Sequence, residues 1–162
     1  MSHELRLERL FDAPPEVVFD AFVDPAAQHH LHGGDRPDWV VHRTETDVRV
    51  GGTSVYAMGP QGQDPDVETR TYSVVDRPRR LVFEHSMQIA EWSRTITTEM
   101  TMTFEDRDGK TLLTMVQTGF ETAEDRDDFL GGWPTYLDTL RGVVEEHLKA
   151  RHDTDEGGRS EA

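Results

Sequence analysis

The stretch Phe129–Leu148, FLGGWPTYLDTLRGVVEEHL, decides the fold of this chain. Its apolar residues recur at steps of three and four, which is the spacing of one face of a helix. The members of this stripe are Phe129, Trp133, Leu137, Leu140, Val144 and Leu148. A long amphipathic helix that follows a series of strands can bury such a stripe against their sheet. A sheet that curves around a helix can leave a hollow, so the pattern already indicates ligand binding.

The same helix carries a segment that should interrupt it, Gly131-Gly132-Trp133-Pro134. Proline lacks an N–H, and the ring of Pro134 would clash with the carbonyl of Leu130. The two glycines add flexibility at little steric cost. We therefore predict a short helix over about 123–130, a break or kink between Leu130 and Pro134, and a main helix from about 132 to 149.

Composition limits the class of protein. A chain of 162 residues and 18.5 kDa fits one domain. It contains no cysteine, which excludes disulfides, thiolate metal sites and thiol nucleophiles. No apolar run approaches the roughly 20 residues that span a bilayer, and the first residues do not resemble a secretory signal. We expect a cytoplasmic protein without a membrane span.

The charge is strongly acidic, with 32 Asp and Glu against 17 Lys and Arg, for a net charge of −15. Such a surface repels phosphate backbones unless a basic patch offsets it. The arginines and lysines do not form a stripe along the sequence. We therefore expect no nucleic-acid partner, and the sequence leaves the oligomeric state open.

Hydropathy and turn signals predict the order of the elements. A first strand over 4–11 precedes a helix capped by Asp12 or Ala13, and a second short helix follows over 26–31. Period-two alternation then predicts six strands: 39–44, 53–58, 67–76, 79–87, 94–106 and 110–117. Asp108-Gly109 predicts a hairpin between the last two. Short turns make these strands antiparallel.

This order predicts an α+β fold in one domain over residues 1–150. The remaining segment, 151–162, is polar and charged and contains two glycines, and we predict that it is a disordered tail.

Four motifs resemble one superfamily. FDAPPEVVFDAFVDP (11–25) resembles the strand-to-helix opening of START-like, or SRPBCC, proteins. DVRVGGT (47–53), RRLVFEH (79–85) and GGWPTYLDTL (131–140) resemble a turn, a strand and a helix of the branch named after the activator of a heat-shock-protein ATPase. The resemblance covers about residues 5 to 149, with the motifs in the right order.

The resemblance implies a helix-grip fold, in which a curved antiparallel sheet wraps around the C-terminal helix and encloses a cavity. Relatives include lipid-transfer proteins, plant hormone binders, aromatic polyketide cyclases and a co-chaperone domain, so the fold alone does not choose the function. Many relatives carry a Trp-Trp pair after the helix that ends in the VDP motif (23–25), where this chain has HHLHGG (29–34). We interpret these histidines as a polar lip on the cavity.

The same histidines could suggest a metal site, because His29 and His32 would share a helical face and imidazole suits zinc. His30 would point elsewhere, which is poor geometry for a third ligand. The alternative interpretation is a solvated helix end with histidines beside the dipole. We predict neither a metal nor a cofactor.

Apolar and aromatic residues on the predicted strands and the long helix are the candidates for a cavity lining, with His85, Tyr56, Tyr72 and Thr98 as its polar groups. His85 lies two positions after Phe83 on the same predicted strand, so the two side chains should face the same side of the sheet. The same pattern is also expected of an ordinary core. The candidates are Tyr56, Met58, Tyr72, Phe83, His85, Met100, Met102, Phe129, Trp133 and Leu137.

Three functions follow as hypotheses. The leading one is non-enzymatic binding of a small hydrophobic molecule, such as a lipid, an aromatic polyketide or a similar metabolite. The second is a cyclase or dehydratase that uses His85 and a tyrosine as an acid–base pair. The third is a chaperone-associated interaction domain, although we expect no chaperone partner. No catalytic residue is assigned from the sequence.

Overall fold

The chain forms one antiparallel sheet and a long helix. In the computed structural model the described residues are 2–160, with side chains described as far as 154. The strands are β1 (His3–Phe11), β2 (Trp39–Glu45), β3 (Thr53–Pro60), β4 (Asp66–Asp76), β5 (Arg80–Ile89), β6 (Arg94–Arg107) and β7 (Lys110–Phe120). Their order in the sheet is β1-β7-β6-β5-β4-β3-β2. The predicted strands and the α+β helix-grip fold are confirmed.

The predicted hairpin between β6 and β7 is also present. Arg107 pairs with Lys110, and the two turn residues Asp108 and Gly109 have φ of 56° and 86°. Positive φ at both central positions matches the twist of the flanking strands, which is why Asp-Gly favours this turn. The turn fixes the register that places Met102 opposite Met115 in the core.

Three helices accompany the sheet: α1 (Pro15–Val23), α2 (Gln28–Leu31) after a 3-10 turn at Pro25–Ala27, and α3 (Ala123–Ser160). The cap of α1 is Pro14, not Asp12 or Ala13 as predicted. The carbonyl of Ala13 accepts a hydrogen bond from the Thr111 hydroxyl at 2.7 Å. The carbonyl of Pro14 instead accepts from the first turn of the helix.

The predicted break in the long helix is wrong, because α3 continues through Pro134. An uninterrupted helix keeps Trp133 and Leu137 on one buried face, with exposed fractions of 6% and 2%. We attribute the continuity to this packing, which offsets the hydrogen bond that Pro134 cannot donate to Leu130. A β-carbon at Gly131 or Gly132 would meet nothing within 4 Å, so neither glycine is required by close packing.

The helix also extends further than predicted. α3 reaches Ser160, so 151–160 is helical where the sequence predicted a disordered tail. Each added helical residue gains a hydrogen bond once a helix is nucleated, and Arg151 lies 3.7 Å from the carboxylate of Glu16 on α1. Glu161 and Ala162 lie outside the described residues. The domain boundary at 150 stays a prediction.

The main core lies between the sheet, α1 and α3. Phe19 of α1 packs on Phe104 of β6 with ring centroids 5.2 Å apart, and Leu140 of α3 is completely buried. Within residues 2–160 no helix combines the length and the apolar composition that crossing a membrane requires.

Candidate functional site

A pocket of about 420 Å³ opens between one end of β4–β6 and the start of α3. Its walls are mostly apolar: Met87, Ile89, Ile96, Phe129, Gly132 and Trp133. Its polar residues are Glu68, His85 and Tyr136, and Asp66, Glu91, Trp92 and Asp128 complete the lining. An apolar cleft with a few converging polar groups is the usual form of a small-molecule site.

Strand β4 brings two charges into the interior beside this pocket. Glu68, Arg70 and Tyr72 alternate with more exposed residues and are 4%, 1% and 2% exposed. Arg70 donates from Nε to Oε2 of Glu68, which forms a buried ion pair. Two charges at such burial are tolerated because each compensates the desolvation of the other.

Aromatic rings surround the guanidinium of Arg70. Its central carbon lies 5.0 Å from the ring centroids of Phe22 and Tyr56, 5.4 Å from that of Phe83 and 6.0 Å from that of Tyr136. The negative faces of such rings attract a cation. Arg70 is therefore held by one carboxylate and several rings, away from solvent.

Two buried histidines face the other oxygen of Glu68. Nε2 of His32 and Nε2 of His85 each lie 3.6 Å from Oε1 of Glu68, too far for a direct hydrogen bond. His32 stacks on Tyr56 with ring centroids 4.1 Å apart. His85 meets Phe129 edge-on at 5.8 Å. Carboxylate and imidazoles thus converge where the polar residues meet the pocket.

Burial and neighbouring charges shift several pKa values in this centre, among them those of Glu68 and Tyr136. Burial raises the pKa of Glu68, but Arg70 and the two imidazoles lower it by more. The pKa of this carboxyl therefore lies well below its ordinary value, and the group is ionised. Burial raises the pKa of Tyr136 far above its ordinary value, and the opposing charge of Arg70 does not reverse this. Tyr136 is therefore a neutral phenol that can donate a hydrogen bond.

A chain of hydrogen bonds fixes the pocket wall formed by α3. The indole N–H of Trp133 donates to Oε1 of Gln117 at 2.9 Å, and Nε2 of Gln117 donates to the Thr98 hydroxyl at 2.8 Å. Thr98 in turn donates to the backbone carbonyl of His85 at 3.4 Å. These bonds connect α3 to three neighbouring strands, so the position of Trp133 relative to His85 is set by the sheet.

The candidates for a cavity lining separate into two groups. Of them, His85, Phe129 and Trp133 line the pocket. The others are buried side chains outside its lining: Tyr56, Met58, Tyr72, Phe83, Met100, Met102 and Leu137. Leu137 of α3 and Met100 and Met102 of β6 belong to one buried cluster, so they fill the core and do not border the pocket.

The histidines after α1 do not form a common lip. His29 and His30 are exposed, and His30 pairs with Asp35. His32 turns inward and is 7% exposed. Among the described residues, no group of three or more His, Cys, Asp or Glu side chains is arranged to hold a metal ion.

Sequence reasoning missed Glu68, Arg70 and Tyr136. A signal for the first two was present, because they share the parity of Tyr72, which was assigned to the inner face. Charged residues are rarely fully buried, so the charges of Glu68 and Arg70 favoured exposed positions over the buried ones that the alternation indicates. Tyr136 lies one residue before the stripe position Leu137, so a broader apolar face would have included it.

Comparisons with known proteins agree with this architecture. The sequence model of the family described as activator of Hsp90 ATPase homolog 1-like protein matches residues 12–145. A comparison with curated proteins gave no match. The family match confirms the resemblance drawn from the four sequence motifs.

Solved structures give the same fold. A protein from Chromobacterium violaceum is 25% identical over 88% of this chain and 97% of its own, with a TM-score of 0.73. A protein from Rhizobium loti is 22% identical over the same shares, with a TM-score of 0.76. An AHSA1-like protein from Aeromonas hydrophila is 23% identical over 89% of this chain and 93% of its own, with a TM-score of 0.69.

Proposed function

Because this chain belongs to the family of activator of Hsp90 ATPase homolog 1-like proteins, whose fold commonly binds hydrophobic ligands, we propose that it binds a small hydrophobic molecule in the pocket beside α3. The observation that carries the proposal is an apolar pocket of about 420 Å³ whose base contains a buried histidine with unpartnered ring nitrogens. The ligand is a lipid, an aromatic polyketide or a metabolite of similar character.

The pocket is open enough to admit such a ligand and polar enough to orient it. Met87, Ile96 and Phe129 offer an apolar surface, and Trp92, half exposed at 50%, stands in the lining. Exposed aromatic surface beside a cleft is a common feature of binding sites. Tyr136 and His85 provide the polar contacts that select an orientation.

Native mass spectrometry of protein purified from its own host, without delipidation, tests the proposal. Gly132→Phe should fill the pocket, since Gly132 lines it and a β-carbon there meets no atom within 4 Å. Gly131→Phe is the matched control, because Gly131 is exposed and outside the lining. We expect a bound small molecule on the wild type and the control but not on Gly132→Phe. Equal occupancy in all three, or none in any, contradicts the proposal.

A second candidate function is acid–base catalysis on the bound molecule, as in the cyclase or dehydratase hypothesis. This hypothesis is favoured because His85, Glu68 and Tyr136 line the same pocket. The imidazole of His85 could act as a base on a bound ligand, and the neutral phenol of Tyr136 could act as an acid. The bound molecule recovered from wild type and from His85→Asn should then differ in mass. If the same molecule is recovered from both proteins, the pocket binds it without converting it, and the catalytic hypothesis is wrong.

The cytoplasmic location and the chaperone-associated role stay predictions of the sequence.

A further inference from the structure

Besides the Tyr136 hydroxyl, which can both donate and accept, the polar base of the pocket presents hydrogen-bond acceptors. Arg70 donates to Oε2 of Glu68, which leaves Oε1 facing His32 and His85. Nδ1 of His32 lies 2.9 Å from the backbone carbonyl of Gln28. A carbonyl can only accept, so Nδ1 carries the hydrogen. With an ammonium group bound beside Oε1 of Glu68, the His32 ring would be neutral and its Nε2, 3.6 Å from Oε1, would be an acceptor, although His32 itself does not line the pocket.

His85 adds a third acceptor and is the group that points to a ligand. It is 1% exposed, it lines the pocket, and neither of its ring nitrogens has a hydrogen-bond partner among the described residues. A buried, unpartnered imidazole costs free energy unless a bound molecule completes its hydrogen bonds. In the neutral ring one of the two nitrogens is an acceptor.

The charges that face the pocket are negative. Besides Glu68, its lining contains Asp66, Glu91 and Asp128, whereas no lysine or arginine lines it within the described part of the chain. The positive charge of Arg70 lies behind Glu68 and is enclosed by aromatic rings. A carboxylate ligand would therefore meet repulsion at the rim, and a cation would be attracted.

We infer that the ligand is a hydrophobic molecule with a positively charged amine head, which donates to Oε1 of Glu68 and to the imidazole of His85. This inference rests on the proposed function and specifies its ligand class. An ammonium group has three donors and no acceptor, so it matches a base built from a carboxylate oxygen and imidazole nitrogens. Its hydrophobic part would lie on Ile96 and Phe129.

Isothermal titration calorimetry with three probes of equal chain length tests the head group: octylammonium, 1-octanol and octanoate. We expect affinity to fall in that order, with octylammonium at least about tenfold tighter than octanoate at low salt. The preference should shrink at about 300 mM salt, because the rim charges are screened there.

The charge-neutral rim variant Glu91→Gln/Asp128→Asn should weaken octylammonium binding about threefold to tenfold and leave 1-octanol unchanged. Glu84→Gln/Glu99→Gln is the control matched in charge, since both residues are exposed carboxylates that do not line the pocket. Both variants keep the Glu68–Arg70 pair, so folding is not put at risk.

The outcomes separate the two claims. Equal binding of the three probes, or tightest binding of octanoate, overturns the inference while hydrophobic binding stands. No binding of any probe contradicts the proposed function as well. Tight binding of Zn²⁺ that displaces octylammonium would also overturn the inference, since the acceptors would then serve a metal.

Discussion

Arg70 donates from its Nε to Oε2 of Glu68, two residues away on β4, where each residue is almost completely buried. A buried charge without its partner is far more costly than a buried pair. Arg70→Met alone should therefore lower the free energy of unfolding by about 3–5 kcal/mol. Glu68→Gln/Arg70→Met should recover most of that loss. Urea unfolding measures both, and a double variant as unstable as the single one would contradict this account of the pair.

Acid should destabilise the protein through the same carboxyl. The pKa of Glu68 in the folded chain lies well below the ordinary value of 4.5, so the unfolded chain binds this proton first as the pH falls. The contribution of Glu68 is complete above that ordinary value and decreases below it. Unfolding free energies across this acidic range should fall more steeply for the wild type than for Glu68→Gln/Arg70→Met. Parallel curves would contradict the prediction.

Trp133 should act as both a packed side chain and a hydrogen-bond donor. It is 6% exposed and donates to Gln117. Trp133→Ala should lower the free energy of unfolding by about 3 kcal/mol. Trp133→Phe should cost about 1–2 kcal/mol, because a buried amide oxygen loses its donor. Thermal and urea unfolding check this order. A loss of less than about 1 kcal/mol for Trp133→Ala would mean that the residue only borders open space.

The continuity of α3 predicts two stabilising substitutions. Pro134→Ala restores a donor to the helix and should raise the free energy of unfolding by about 1–2 kcal/mol. Gly131→Ala should add about 0.5–1 kcal/mol, since its β-carbon meets no neighbour. Urea unfolding measures both. A destabilising Pro134→Ala would show that the proline shapes the helix in a way that the packing of Trp133 and Leu137 requires.

The fold was predictable because its signals are local and repeated. The stripe from Phe129 to Leu148 and the strand alternation gave the sheet and the helix, and Asp108-Gly109 gave a turn. The continuity of α3 through Pro134 was not predictable from the local cost of a proline, since the burial of Trp133 and Leu137 on one face is a tertiary effect.

The candidate site was predictable only in part. His85 followed from the parity of Phe83, and Phe129 and Trp133 followed from the helical stripe. Which candidates border space and which fill the core depends on how closely α3 approaches each strand, and the sequence does not contain that distance. In the sequence, Glu68 and Arg70 resemble ordinary surface charges, because nothing local shows that the two side chains are buried and paired.

Methyl NMR of the isoleucines and methionines tests the central claim most directly. Both isoleucines of the chain, Ile89 and Ile96, line the pocket, as does Met87, whereas Met100 and Met102 lie in the packed core. Upon addition of octylammonium or 1-octanol, we expect shifts and ligand contacts at the methyl groups of Ile89, Ile96 and Met87, with little change at those of Met100 and Met102. Shifts centred on Met100 and Met102, or no saturable shift at either isoleucine, would contradict hydrophobic ligand binding in this pocket.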